Sequence, residues 1–276
     1  MILSFHPVIE ADQNIICAGR NPNEHDLKAI QSAKAVILPQ GCPEALYRMA
    51  RNHCANIFPN MDIRFDYPGK CNQIRLFRKI GIAHPKTKLF KSTQDIGNFG
   101  QAEQFPLILK LDWGGQGDTV CKVDDSTDFE KRMEWIKGIE KTGQHGFLAQ
   151  QYIPCQNRSL RVVCIDDQLY SYWRIQGEKD KFGASIAKGA RIEYEAAPHL
   201  QSAAKRVVRT VCQTTGIQLA GFDFLFDEYE LKSGHIEPLM LEINFYFGRT
   251  GLGGSQRFYD LLNKATDNWL NRIEDA

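Results

Sequence analysis

Long apolar runs are missing from this chain. Stretches such as Ala35-Val-Ile-Leu-Pro39 fall far short of the roughly 20 residues that span a bilayer, so no membrane-spanning helix is expected. The first residues, Met-Ile-Leu-Ser-Phe-His, read as a strand and lack the basic stretch and apolar core of a secretory leader. A charge excess is missing too: the formal net charge is +1, which gives no field toward nucleic acid or an anionic membrane. The eight cysteines contain no Cys-x-x-Cys and no Cys/His spacing for structural zinc. They are expected to be reduced, mostly buried thiols of a cytoplasmic protein. The seven histidines are not paired at ligand spacing, and none is assigned to catalysis. There is no Gly-x-Gly-x-x-Gly, no Gly-x-Ser-x-Gly elbow, no His-Glu-x-x-His helix, no internal repeat and no low-complexity tract. The composition that remains, 43% hydrophobic and 24% charged over 276 residues, is globular, with room for one large domain or two to three small ones.

The first 66 residues alternate between strand and helix signals. Ile2–Phe5, Ile15–Ala18, Ala35–Leu38 and Ala55–Phe58 read as strands. Between them a helix capped by Asn23 runs through Lys28 to Ala33, and another follows Pro43 over Ala45–His53. This is a small α/β unit with a parallel sheet. Asp66-Tyr-Pro-Gly69 marks a boundary. A helix over Lys70–Ile80 follows, closed by Gly81 and Pro85. Beyond it lie strands at 107–111, 119–123 and 147–151, a helix at 129–137, a hairpin at 160–175, a helix at 200–215, strands at 221–226 and 239–245, and a last helix at 259–273.

Three features carry chemistry. In Leu239-Met-Leu-Glu-Ile-Asn-Phe245, Glu242 and Asn244 project from one strand face, with Leu241 and Ile243 on the other. Folded as a hairpin on Gly221-Phe-Asp-Phe-Leu-Phe226, across a polar turn containing Ser233-Gly234, this strand brings Asp223 opposite Glu242. Two carboxylates and an amide oxygen suit magnesium holding phosphate oxygens; the alternative is a solvated face of an edge hairpin. Second, the apolar strand ending in Lys110 leads into Trp113-Gly-Gly-Gln-Gly117. A cation beside backbone N–H groups freed by glycine fits a polyphosphate; the alternative is a flexible turn with an exposed lysine. Third, Arg161 and Arg174 on neighbouring strands could grip phosphate or carboxylate in bidentate fashion, or form surface ion pairs with Asp166 or Glu178.

Taken in order from Lys70 to Gly254, these pieces resemble the ATP-grasp superfamily, most closely its RimK-like carboxylate–amine ligase branch. The resemblance implies an α/β (α+β) fold: a small Rossmann-like pre-ATP-grasp domain over 1–66 and an ATP-grasp domain over 67–276. The latter would comprise a nucleotide lobe at about 84–153 and a metal and substrate lobe at about 154–276. It implies that Lys70 and Lys110 are nucleotide lysines, and that Gly114, Gly115 and Gly117 form a loop over the triphosphate. Gln150, Tyr152 and Ile153 in Ala-Gln-Gln-Tyr-Ile-Pro would read adenine. Arg161 and Arg174 would be catalytic, and Asp223, Glu242 and Asn244 would hold Mg2+, or Mn2+ in its place. The implied activity is ATP-dependent ligation of a small-molecule or peptide carboxylate to an amine through an acyl phosphate, with no nucleic acid or membrane partner. The alternatives are a non-catalytic nucleotide sensor or assembly module, and a small-molecule kinase.

The chain also departs from the family pattern. Asn-x-x-Pro-Gly is replaced by Asn244-Phe-Tyr-Phe-Gly248, an expected acidic residue by Ser159, and Ile186–Arg191 lacks an asparagine near a glycine pair. These changes fall on the acceptor side, where Arg249 and Thr250–Gly254 are candidates for gripping a substrate carboxylate; the alternative is a plain glycine-rich loop. Sequence patterns leave the oligomeric state open.

Overall fold

The computed structural model describes residues 1–102, 104–115, 117–178 and 182–275. The N-terminal unit comprises β1 (Ile2–Ser4), β2 (Gln13–Asn14), α1 (Glu24–Ser32), β3 (Ala35–Ile37), α2 (Glu44–His53), β4 (Ile57–Phe58) and α3 (Asp62–Asp66). Its parallel sheet has the order β2-β1-β3-β4. Asn23 caps α1 in a capping box with Asp26. The strand expected at Ile15–Ala18 lies instead at Gln13–Asn14: the chain leaves the sheet edge so that Ile15 and Cys17 can turn into the N-terminal core.

Helix α4 (Gly69–Lys79) crosses to the second unit. There β5 (Thr87–Phe90), α5 (Phe99–Ala102), β6 (Leu107–Leu111), β7 (Val120–Val123), α6 (Ser126–Glu140) and β8 (Phe147–Gln151) build an antiparallel sheet of order β5-β8-β6-β7. Phe129, Met133 and Ile136 of α6 fill its core. The third unit contains β9 (Arg158–Ile165), β10 (Gln168–Ile175), β11 (Arg191–Glu193), α7 (Pro198–Thr215), β12 (Leu219–Leu225), α8 (Glu228–Lys232), β13 (Leu239–Asn244) and α9 (Ser255–Glu274). Its antiparallel sheet runs β11-β10-β9-β12-β13. The polar segment read as a turn after β12 contains α8, because Asp227 caps it by accepting from the Tyr229 amide at 2.8 Å.

The five-stranded sheet separates two cores. One face packs Val162, Cys164, Trp173, Phe222, Phe224 and Met240 against α7 and α4. The opposite face is apolar only at one end. There Val163, Ile165 and Leu219 meet α9 and the N-terminal Ile37 and Phe58, so the N-terminal unit shares a core with the last helix. The other end of that face carries charged side chains and forms the floor of a cleft roofed by β6, β8 and the glycine-rich turn.

Candidate active site

Strand register assembles the cleft floor. Tyr172 pairs with Arg161, Arg161 with Asp223, and Asp223 with Glu242, so one row crosses β10, β9, β12 and β13. Directly paired residues share a face, and all four side chains line the cleft. A β-bulge follows Asp223, where the partner shifts from Glu242 to Met240. It corrects the face expected for Leu241: Met240 and Ile243 enter the core, whereas Leu241 turns to the cleft beside Glu242 and Asn244.

Asp223 is only 3% exposed. Arg161 grips it through Nε and Nη2, the latter at 2.8 Å from Oδ2, and Arg174 Nη2 lies 2.8 Å from Oδ1. Among the described residues neither arginine is seen paired with Asp166 or Glu178, the partners considered from sequence; Asp166 is held by Arg272. Burial alone would raise the Asp223 pKa, but the two guanidinium groups outweigh it and hold the carboxyl well below the usual range. Arg174 also donates to Ser159 Oγ from Nε and Nη2, at 3.2 and 3.0 Å.

The amide of Asn244 donates from Nδ2 to Asp223 Oδ2 at 3.2 Å and to Glu242 Oε1 at 3.1 Å. One N–H2 group thus stands between two carboxylates, at the point where positive charge is wanted. Among the described residues no group of three or more His, Cys, Asp or Glu is placed to hold a metal ion; the candidate cation set is two carboxylates plus this amide. The donors fit a hard cation. Turning the amide over would present its oxygen and free one lone pair on each carboxylate, an all-oxygen set of the kind magnesium takes.

The opposite wall carries the lysines. Lys110, at the end of β6, is buried, and burial lowers its pKa to about 8; Glu242 works against this shift and Lys70 with it. Lys70 is shifted in the same direction by burial, with Glu242 and Asp112 opposing. Its position is set by Asp112, which the sequence reading did not single out. Asp112 Oδ1 accepts from the Cys71 amide at 2.7 Å, and Asp112 O accepts from the Lys70 amide at 3.0 Å. Gly69 makes this possible: its φ is +79°, and a Cβ there would lie 2.6 Å from Asp112 Oδ1. Lys70 Nζ reaches the carbonyls of Trp113 and Gly114 at 3.2 and 2.7 Å.

Gly114, Gly115 and Gly117 line the cleft, while Gln116 between them lies outside the described residues. Lys188, another residue not anticipated, donates to the Gly117 carbonyl at 2.8 Å and ties the turn to the floor. Gln150, Tyr152 and Ile153 line the same cleft where β8 runs into the connection to β9; Gln150 Nε2 donates to Thr87 Oγ1 at 2.9 Å. Gln73 of α4 holds the edge strand β13: its amide accepts from Ile243 N at 2.8 Å and donates to Ile243 O at 2.9 Å, as a neighbouring strand would.

The aromatic departure after Asn244 divides. Phe245 and Phe247 pack into the two cores, and Tyr246, 61% exposed, lines the cleft. The Arg64 guanidinium lies 4.6 Å from the Tyr246 ring centroid and donates to its hydroxyl, and Gln40 Nε2 donates to Phe245 O at 2.8 Å. Arg249 does not join the cleft lining. Its guanidinium lies over the Phe258 and Tyr259 rings, at 4.6 and 4.5 Å from their centroids, and donates to Tyr259 Oη at 2.9 Å. The aromatic start of α9 captures this cation by cation–π attraction, turning it away from the position expected for a substrate-gripping residue.

The cleft volume is about 1550 Å³, larger than the ~300–1,000 Å³ of a typical single-ligand pocket. It has room for a nucleotide and a second molecule.

Residues 68–254 match the family described as the RimK-like ATP-grasp domain. A comparison with curated proteins returns no significant match. Among solved structures, a RimK-domain ATP-grasp protein from Sphaerobacter thermophilus aligns with TM-score 0.60 at 16% identity, covering 86% of this chain and 81% of its own. The ADP complex of N5-carboxyaminoimidazole synthetase from Staphylococcus aureus gives TM-score 0.61 at 13% identity; 87% of this chain aligns to 61% of that enzyme, so the chain spans under two thirds of its length. The VanG D-Ala:D-Ser ligase from Enterococcus faecalis gives TM-score 0.60 at 14% identity over 86% of this chain and 73% of its own.

Proposed function

The chain belongs to the RimK-like ATP-grasp family, and from that premise we propose that it is an enzyme, an ATP-dependent ligase that joins a carboxylate to an amine. The observation that carries this reading is the convergence of Lys70 and Lys110 with Asp223, Glu242 and Asn244 on one cleft between two lobes. The fold neighbours point the same way: one is an ADP complex and another a ligase for D-Ala and D-Ser.

Phosphoryl transfer asks for positioning and charge neutralisation rather than for a protein nucleophile. Lys70 and Lys110 bind the phosphates of ATP, and the N–H groups of Gly114, Gly115 and Gly117 lie over them. Gln150, Tyr152 and Ile153 surround the base. Asp223, Glu242 and Asn244 would hold magnesium, which would supply charge neutralisation for the phosphates. The substrate carboxylate attacks the γ-phosphoryl group, giving an acyl phosphate and ADP, and the amine then displaces phosphate. Arg161 and Arg174 face the charge that develops in both steps. Closure of the glycine turn, tethered through Lys188, excludes water from the acyl phosphate.

A sensor or assembly module could use three adjacent aromatics, Phe245-Tyr246-Phe247, as a partner surface. Two of them, Phe245 and Phe247, are spent on internal cores, which leaves the ligase reading favoured. The test is Glu242→Ala. Its half-exposed carboxylate makes no internal ion pair among the described residues, so the fold should persist while ATP turnover is abolished. A folded variant that still releases ADP at the wild-type rate refutes the metal role. In the wild type, an amide product identifies the ligase, a stable phosphorylated product the kinase, and nucleotide binding without turnover in any acceptor mixture the sensor.

A further inference from the structure

The floor of the cleft contains two donors with no protein acceptor among the described residues. Tyr172 is 2% exposed, yet among the described residues its hydroxyl has no hydrogen-bond partner. The sealed polar side-chain atom without a partner is Arg132 Nε alone among those residues. The Tyr172 hydroxyl is therefore not entombed; it opens onto the cleft that its side chain lines. Burial raises its pKa, with Arg161 and Arg174 pulling back, so at neutral pH it is a phenol that can donate. Among the described residues Nη1 of Arg161 likewise has no acceptor; that guanidinium spends Nε and Nη2 on Asp223. An O–H and an N–H that open onto the same cleft, on directly paired residues and with no protein acceptor among the described residues, are free to donate to an anion bound there.

Register shows which side of the cleft floor they lie on. On one side of the Tyr172–Arg161–Asp223–Glu242 row lies the Arg174–Ser159 pair, toward the connection holding Tyr152 and Ile153. On the other side lies Gly221, paired with Asn244 and followed by the loop at 245–251. Arg161 leans to this second side: a Cβ on Gly221 would lie 3.0 Å from its Nη1 and 3.3 Å from Phe247 Cβ. Tyr172 is pinned there too, because Gly251 abuts its ring so closely that a Cβ would lie 2.1 Å from Cζ. Three strand spacings, ~14 Å along the sheet, separate the backbone of Tyr172 from that of Glu242, where the lysines converge.

We infer that Tyr172 is a substrate-binding residue: its hydroxyl, beside Arg161 Nη1, hydrogen-bonds a carboxylate oxygen of the acid substrate, on the side of Asp223 away from the nucleotide lysines. This rests on the ligase reading. It places the acid against the 245–251 loop and selects an acid whose carboxylate reaches the floor beside a tyrosine ring with no room for a side chain behind it.

The test uses Tyr172→Phe, which keeps the ring on Gly251 and removes only the hydroxyl. The full chain is loaded with magnesium and a non-hydrolysable ATP analogue, and 13C-acetate is titrated as the probe by NMR relaxation, with inorganic phosphate in a parallel titration. The expected result is acetate binding to the wild type, weakened at least fivefold in Tyr172→Phe, while affinity for the analogue changes less than twofold and the thermal midpoint holds. Equal acetate affinity in both proteins, or no acetate binding to the loaded wild type, overturns the inference. So does a phosphate response in place of the acetate response, which would assign the hydroxyl to the transferred group. A parallel loss of analogue affinity would assign it to the nucleotide. Failure of the wild type to bind the analogue at all strikes the ligase reading itself and is visible before acetate is added.

Discussion

Lys110 offers the most direct probe of the cleft electrostatics. Burial depresses its pKa to about 8, against the pull of Glu242. Relative to a reference near 10.4, the charged form is disfavoured by about 3 kcal/mol in the empty protein. The sign follows from linkage: between about pH 8 and 10.4 the unfolded chain binds the proton that the folded one has lost, so this group makes stability rise with pH across that window. Phosphate oxygens placed against the ammonium group reverse the shift. At pH 8.5 Lys110 is about one quarter protonated when the cleft is empty and nearly fully protonated when it is filled, so each nucleotide bound takes up about three quarters of a proton from this residue. At pH 7 the figure falls below about 0.1, because Lys110 is already charged. Calorimetric titration with Mg-ADP in two buffers of contrasting ionisation enthalpy reads the uptake directly. Lys70, shifted the same way by burial, adds to it. Lys110→Gln is expected to remove more than half of the uptake at pH 8.5. An uptake equal at the two pH values, or undiminished in Lys110→Gln, would show that this ammonium group does not meet the phosphates.

Asp223→Asn leaves Arg161 and Arg174 buried against a neutral amide, and breaking such a pair costs ~3–5 kcal/mol. At ~2–4 °C per kcal/mol the thermal midpoint is expected to fall by about 6–20 °C. Because the folded pKa of Asp223 lies below its unfolded value, this advantage of the wild type is complete above about pH 4 and shrinks as pH falls further; a midpoint within 2 °C of wild type at pH 7 refutes the account. Gln73→Ala removes both bonds to Ile243 from the edge of β13. Hydrogen exchange at the Ile243 amide is expected to accelerate at least tenfold, with a loss of ~1–3 kcal/mol, and unchanged exchange would mean that the edge is held by other contacts.

Local pattern settled a large part of this protein. The strand read at 147–151 is β8 at its observed bounds, and folding the hairpin of 221–226 on 239–245 put Asp223 opposite Glu242. Capping and breaker residues placed α1, α2 and α4, and the order of lysine, glycine turn, arginine and acidic strand pointed to the family that residues 68–254 match. Each single signal lies within a few residues of chain or in one hairpin, where covalent geometry dictates which side chains face together, and only their order runs along the chain. Tertiary structure decided the rest, because it depended on contacts between distant segments. The β-bulge that turns Leu241 into the cleft is a misfit between two strands and leaves no mark on either alone. Asp112 acts on Lys70 from 42 residues away by capping a helix it does not belong to, as the 2.7 Å bond from the Cys71 amide shows. Arg249 was drawn off by aromatic rings of a helix that only packing brings beside it. Most of all, Arg161 and Arg174 lie on strands far along the chain from Asp223, and only the sheet order β10-β9-β12 makes one buried ion cluster of them.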